Sequence, residues 1–193
     1  PLSNLDAKPR PSAREELEQF QKRVGTTTIY VTHDQVEAMA MGDRVVVMNF
    51  GEVRQIGTPA TVYDDPADTF VATFLGSPPM NLIETGDVIV GFRPEHFFPV
   101  SQLAGRAAVP EDIRESEREG PFVSLRFHVN HEEYLGAERI VYGTLEGGSF
   151  KGEKVQSRMS STYSARFAND SVHAFAVAER HLRFFDRKTG KRT

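Results

Sequence analysis

A continuous apolar run near the amino terminus limits what this chain can fold into. Residues 26–31 read TTTIYV, a series of β-branched and aromatic side chains in which polar and apolar positions do not alternate. Such a run is typical of a strand that is covered on both faces, as in a parallel sheet. A parallel sheet needs further strands beside this one, and the sequence around it supplies none. Residues 1–57 therefore predict an α/β fold that is incomplete within this chain.

The segments on either side of this run carry helix and hairpin signals. Asp34, with Glu37 three residues later, predicts a capping box at the start of the helix QVEAMAM. The segments DRVVVMN and EVRQIG predict two strands around the turn NFGE. A one-sided helix before residue 25 is predicted from apolar positions at helical spacing: Ala13, Leu17, Phe20 and Val24.

The character of the chain changes near residue 80. Residues 58–80 predict a linker of two short helices that are interrupted by Pro66. From residue 81 onward the sequence predicts short strands separated by Gly, Pro and Asn turns, which is typical of a small β-barrel or sandwich. Six such strands are predicted: DVIVGF, FVSLRFHV, RIVYGTL, KVQSRM, VHAFAVA and LRFFD. The clearest strand alternates apolar with polar residues, the pattern of a sheet with one wet face. Its apolar positions are Val123, Leu125, Phe127 and Val129.

Composition and charge exclude several classes of protein. The 193 residues, 39% of them hydrophobic, suffice for one or two domains. A formal net charge of -4 offers no chain-wide attraction to nucleic acid or anionic lipid. The absence of cysteine excludes disulfides and thiolate metal sites and suits a reducing cytosol. The chain starts at Pro1 rather than methionine, as expected of a fragment and equally of a processed or recombinant chain.

His33 directly follows the predicted strand, in the order Thr32-His33-Asp34. A histidine at the end of a strand is, by itself, more often structural than catalytic. Open α/β sheets, however, bind ligands at the carboxyl ends of their strands, where an imidazole can hydrogen-bond a phosphate. This position makes His33 the first candidate site residue.

Several segments, in the same order along the chain, resemble those of ATP-binding-cassette (ABC) ATPases. LSNLDAK, residues 2–8, resembles the D-loop, and the stretch from TTTIYVTHDQ to GTP is similar to the switch-histidine segment and the strands after it. VYDDPADTFVATFLGSPPMNLI resembles the linker into the regulatory domain of the maltose-type and related carbohydrate and glycerol-phosphate importers. VGFRPEHF and ERHLRFFDRKTGKR resemble recurring segments of that domain. The chain therefore resembles the C-terminal part of an importer's ATP-binding subunit.

This resemblance implies three parts: an α/β remnant of a P-loop ATPase domain over residues 1–57, a helical linker over residues 58–80, and an all-β, OB-like (TOBE/MOP-type) regulatory and dimerisation domain over residues 81–193. His33 would be the switch histidine that contacts the γ-phosphate of ATP. The D-loop residues that meet the partner subunit would be Ser3 and Asp6, with helix capping as the alternative for each.

The resemblance also implies cofactors, partners and a location. The full-length protein would use ATP and Mg²⁺, pair as a homodimer through the regulatory domain, and assemble with membrane-spanning permease subunits on the cytoplasmic face of the membrane. The phosphate loop, the glutamine loop, the signature motif and the catalytic Asp-Glu pair of the family are missing from the sequence. Neither bound nucleotide nor ATP hydrolysis is therefore expected of this chain alone.

Other motifs favour structural interpretations. GGSFKGEK places Glu153 where a phosphate loop needs lysine, so it predicts a hairpin. His128 and His131 have a spacing that allows metal ligation, but a metal site is only the minor alternative. Arg93-Pro94-Glu95 predicts a turn held by a local ion pair, with an oxyanion site as the minor alternative.

The rival function is a free-standing OB-like module that binds a regulatory protein or nucleic acid, and binding assays at two salt concentrations would separate these.

Overall fold

The structure, a computed structural model, describes residues 10–101, 121–163 and 166–193, with the backbone alone for residues 10–12. Contacts divide the chain into two compact units, Pro1–Ala67 and Asp68–Thr193. The division falls inside the predicted linker of residues 58–80, so one linker helix belongs to each unit. Strands outnumber helices in the described part of residues 81–193, which agrees with the prediction of a β-rich domain there.

Two helices form the amino-terminal part of the first unit: α1 (Arg10–Val24) and α2 (Gln35–Met41). α1 ends where Gly25 adopts a positive φ of 66°, a conformation that commonly closes helices. The apolar stripe of α1 faces solvent, and Phe20 is 56% exposed. The predicted one-sided helix therefore forms, but its apolar side is largely uncovered.

The predicted buried strand over residues 26–31 is wrong. These residues belong to neither a helix nor a strand, and Ile29 and Val31 are 89% and 82% exposed. A strand exists only through hydrogen bonds to a neighbour. The strands of the first unit, β1 (Val45–Asn49) and β2 (Glu52–Gly57), pair with each other instead. The sequence pattern is that of a covered strand, but the described part of this unit contains no cover for it.

β1 and β2 form the predicted antiparallel hairpin. Phe50 and Gly51 occupy its turn with φ values of 48° and 81°, the two positive angles that a tight type I′ turn requires. Val45 and Val47 point inward and are buried, whereas Val46 is half exposed. A short helix, α3 (Pro59–Asp64), follows the hairpin.

The second unit begins with α4 (Thr69–Phe74) and continues as two antiparallel sheets. The first sheet has the order β10-β4-β3, and the second has the order β5-β9-β6-β7-β8. The strands are β3 (Asn81–Thr85), β4 (Val88–Phe92), β5 (Phe98–Pro99), β6 (Phe122–Tyr134), β7 (Glu138–Glu146), β8 (Lys154–Ser160), β9 (Ser171–Ala178) and β10 (Arg183–Asp186). All six strands predicted from residue 81 onward are present, and β3 and β5 were not predicted.

Both sheets contribute side chains to one core in the second unit. Its centre is aromatic: the rings of Phe97, Phe127 and Phe175 lie with their centroids 4.8 to 5.3 Å apart. The predicted alternation along β6 is confirmed, because Phe127 and Val129 are buried in this core. In the described part of the chain, no helix combines the length and the apolar character needed to cross a bilayer.

Candidate functional site

His33 lies at a bend between the apolar run and α2, in the first unit. Its side chain is exposed, and the first residue of α2 comes two positions later. The imidazole can therefore reach a ligand without any rearrangement of the described residues. Whether it is held in one direction depends on the residues beside it.

Asp34, the residue after His33, is held in place by contacts of its own side chain. Its Oδ1 accepts hydrogen bonds from the amides of Val36 at 2.8 Å and Glu37 at 3.2 Å, so the predicted N-cap is confirmed. Its Oδ2 lies 3.7 Å from a guanidinium nitrogen of Arg14 on α1. Both carboxylate oxygens of Asp34 thus serve the fold, which leaves the imidazole of His33 as the chemical group that this bend presents.

The other half of the predicted capping box is wrong. Glu37 does not reach back to the amide of Asp34; that amide donates to Thr32 Oγ1 at 3.0 Å. Glu37 Oε2 instead accepts hydrogen bonds from Thr32 Oγ1 at 2.6 Å and from the hydroxyl of Tyr30 at 3.1 Å. The motif spacing identified Glu37 but gave the wrong partner, because the hydroxyl of Thr32 lies between the two groups.

Ser3 and Asp6, the predicted D-loop residues, lie outside the described residues. Their role at a subunit interface therefore stays a prediction.

Arg93, in the second unit, has a structural setting. It is only 2% exposed, and its guanidinium donates to the carbonyl oxygens of Ala72 at 2.9 Å and Leu75 at 2.6 Å. These carbonyls lie at the carboxyl end of α4, where helix carbonyls lack partners within the helix. Arg93 thus joins α4 to the sheet and does not face a solvent-accessible oxyanion site.

The histidines of β6 lie beside single acidic groups. His128 Nε2 is 3.9 Å from Asp170 Oδ1, and His131 Nε2 is 4.0 Å from Glu133 Oε1. The described residues contain no cluster of three or more His, Asp or Glu that could hold a metal ion. They therefore do not provide a fit for the Mg²⁺ that the resemblance implies.

A second histidine pair lies in the second unit. The rings of His96 and His181 stack in parallel with their centroids 3.7 Å apart. Burial lowers the pKa of His96 from its ordinary 6.5, and the nearby charges of Arg183, Arg180 and Arg93 lower it further, whereas Glu95 raises it. The folded unit therefore favours neutral His96.

Curated proteins of known name are similar to this chain over nearly its whole length. No family model matches it. It is 42% identical over 214 residues to the sn-glycerol-3-phosphate import ATP-binding protein UgpC of Ruegeria pomeroyi, an alignment covering 100% of this chain and 54% of that protein. It is 42% identical to the trehalose/maltose import ATP-binding protein MalK of Thermococcus litoralis, covering 99% of this chain and 55% of the relative. The diacetylchitobiose uptake system ATP-binding protein MsiK of Streptomyces coelicolor is 44% identical over 77% of this chain and 46% of its own length. The chain spans about half the length of the curated relatives it matches.

Proposed function

The chain belongs to the family of ATP-binding subunits of ABC importers for sugars and glycerol phosphate, and from this premise we propose that it is the C-terminal part of a subunit whose ATP hydrolysis powers solute uptake. Its identity of about 40% to subunits named for glycerol phosphate, trehalose/maltose and diacetylchitobiose supports this proposal. The solute is then a carbohydrate or glycerol phosphate. The complete subunit works on the cytoplasmic face of the membrane with permease subunits.

His33 is the residue of this chain that acts on ATP. The observation that carries this role is an exposed imidazole on a bend whose preceding and following residues are both hydrogen-bonded in place. An imidazole N–H that points at the terminal phosphate donates to an oxygen on which negative charge develops during phosphoryl transfer. The chain supplies no covalent step; it supplies a positioned donor.

The isolated chain does not hydrolyse ATP in this proposal. One hydrogen bond to a charged group contributes about 1.5 to 3 kcal/mol, whereas micromolar binding requires about 8 kcal/mol. The contacts to Mg²⁺ and to the remaining phosphates are made by the half of the subunit that this chain does not contain. ATP and Mg²⁺ are therefore bound by the complete subunit only.

The second unit acts as an OB-like regulatory domain through which two subunits pair. The resemblance of its recurring segments and the core that its two sheets share support an independent domain. Sedimentation of residues 68–193 at high micromolar concentration tests the pairing. A dimer is expected, and a monomer under these conditions would contradict this part of the proposal.

The role of His33 is tested by steady-state ATP hydrolysis in the complete subunit, meaning this chain joined to the upstream half that its relatives possess. We expect His33→Ala to lower kcat by about 100-fold or more, the usual loss when a positioned donor is removed. His131→Ala, a change at an exposed histidine of the second unit, is the matched control and keeps normal turnover. Normal turnover of His33→Ala, or hydrolysis by the isolated chain, would contradict the proposal.

A further inference from the structure

Glu37 is the most deeply buried charged side chain among the described residues, with 0% exposure. A carboxylate loses strong hydration when it is buried, so it is tolerated only with compensating hydrogen bonds. In Glu37 a single oxygen, Oε2, takes both hydroxyl donors, from Thr32 and Tyr30. N-capping of α2 does not need this carboxylate, because Asp34 performs that role. Its burial therefore calls for another explanation.

The hydroxyl of Thr32 connects Glu37 to both sides of His33. It donates to Glu37 Oε2 at 2.6 Å, a length typical of a charge-assisted hydrogen bond. It also accepts from the amide of Asp34 at 3.0 Å. The residues immediately before and after His33 are thus tied to one hydroxyl, and the hydroxyl is tied to Glu37. We name this arrangement of Thr32, Asp34 and Glu37 the hydroxyl clamp.

The hydroxyl clamp fixes the backbone of His33 while leaving the side chain exposed. His33 lies between Thr32, whose hydroxyl is hydrogen-bonded to Glu37, and the peptide unit whose N–H, that of Asp34, donates to the same hydroxyl, so the clamp limits the directions that the imidazole can take. Catalysis by a positioned donor depends strongly on such geometry, and a displacement of about 1 Å can cost about 100-fold in rate. A buried anchor close to an exposed reactive group provides this precision.

We propose that Glu37 is a positioning residue for His33, acting through the hydroxyl of Thr32. Its effect on catalysis rests on the proposed function of His33, whereas the hydroxyl clamp itself does not. Glu37 contacts no substrate in this role. The alternative is a purely structural role, in which Glu37 stabilises the first unit as a whole. The two roles differ in which amides exchange faster, and in which kinetic constants change, when Glu37 is replaced.

The hydroxyl clamp is tested by amide hydrogen exchange on the whole 193-residue chain. Glu37→Leu and Thr32→Val are each expected to speed exchange at Asp34 about fivefold, the factor that follows from losing one hydrogen bond. Thr32→Ser retains the hydroxyl and keeps the wild-type rate. Thr28→Val is the matched control, because the hydroxyl of Thr28 donates to the carbonyl of Thr26 and lies outside the clamp.

Two exchange results would overturn the inference. One is an unchanged rate at Asp34 in both Glu37→Leu and Thr32→Val. The other is an equal acceleration in the β1–β2 hairpin, which would mean that the whole unit is destabilised. Thr32→Val covers the case in which Glu37→Leu does not fold.

The catalytic consequence is tested in the complete subunit. Glu37→Leu and Thr32→Val are expected to lower kcat at least about tenfold while KM for ATP changes less than about twofold, because the donor is misplaced but nucleotide binding is retained. Thr32→Ser restores kcat, and Thr28→Val keeps it. If His33→Ala loses turnover but Glu37→Leu and Thr32→Val do not, the positioning role is overturned and the proposed function stands. If His33→Ala keeps turnover, the proposed function fails, and the exchange result still decides whether the clamp exists.

Discussion

The two units of this chain differ in how far they bury their apolar side chains. The second unit buries a continuous core of aromatic and aliphatic side chains from both of its sheets. The first unit buries few, and it leaves exposed most of the large apolar side chains on its helix, its apolar run and its hairpin. Apolar area stabilises a fold only when it leaves water, at about 25 cal/mol per Å². Apolar residues of the same types therefore stabilise the second unit by their burial, whereas in the first unit most stay in water and contribute little stability.

The difference in burial indicates whether each unit can cover its own apolar side chains. The second unit closes its core with its own strands. The first unit presents faces that are patterned for burial and have no described neighbour, and large exposed apolar patches commonly mark interaction surfaces. We interpret these faces as surfaces that the other half of the ATP-binding subunit covers.

The largest expected contrast comes from one phenylalanine in each unit. Phe175 is 0% exposed and lies against the rings of Phe97 and Phe127. Phe175→Ala should lower the free energy of unfolding of the second unit by about 3 to 5 kcal/mol. Phe20→Ala, at an exposed position of α1, should change that of the first unit by less than about 0.5 kcal/mol. Urea unfolding followed by circular dichroism measures both, and equal effects would remove the contrast.

A somewhat smaller effect is expected at Arg93. Arg93→Ala leaves the carbonyls of Ala72 and Leu75 without their buried donor, which should destabilise the second unit by about 2 to 3 kcal/mol. The matched control is Arg187→Ala, because Arg187 makes a half-exposed ion pair with Glu84 at 2.6 Å. Such surface pairs contribute less than about 1 kcal/mol. Similar losses in the two variants, measured by the same unfolding experiment, would refute a structural role for Arg93.

The stability of the second unit should also depend on pH through His96. Because burial holds the pKa of His96 below its ordinary 6.5, the unfolded chain takes up a proton first as the pH falls. The contribution of His96 to stability is thus complete above pH 6.5 and is lost as the pH falls from there toward the lowered pKa. His96→Gln should therefore flatten the dependence of the unfolding free energy on pH below about 6.5. If the slope of unfolding free energy against pH is unchanged in this variant, the pH dependence comes from groups other than His96.

The smallest stability effect is expected on the hairpin of the first unit. Val46 and Val53 are exposed, so replacing both by threonine should change the free energy of unfolding by less than about 0.5 kcal/mol. Self-association should nevertheless weaken, because exposed apolar strands promote pairing between chains. Sedimentation velocity of the double variant and the wild type compares this directly. A clear loss of stability without any change in association would mean that these side chains are already covered within the chain.

The sequence predicted the second unit better than the first for a physical reason. The alternation from Val123 to Val129 is a local pattern whose covering partners lie in the same chain, and the strand forms. Residues 26–31 carry an equally strong pattern, but a covered strand needs neighbours that the described part of this unit does not contain. β3 was missed because NLIET is short and mixes polar with apolar residues.

The candidate site was predictable in part. Position at the end of an apolar run, together with the resemblance, was enough to select His33 as a candidate, and its role stays a prediction. The N-cap of Asp34 followed from motif spacing, but the partner of Glu37 did not, because side-chain hydrogen bonds depend on which hydroxyl is nearest in space. The available sequence signal was a tyrosine and a threonine, Tyr30 and Thr32, shortly before Glu37, and spacing alone could not rank these partners.

We propose that the uncovered faces of the first unit belong to an ATPase domain that is completed by sequence outside this chain. Deuterium uptake at residues 26–31, compared between the isolated chain and the complete subunit, measures this. We expect near-unprotected exchange in the isolated chain, at least about 100-fold protection in the complete subunit, and no change in the core strands β6, β7 and β9. Fast exchange in both proteins, or strong protection already present in the isolated chain, would contradict it.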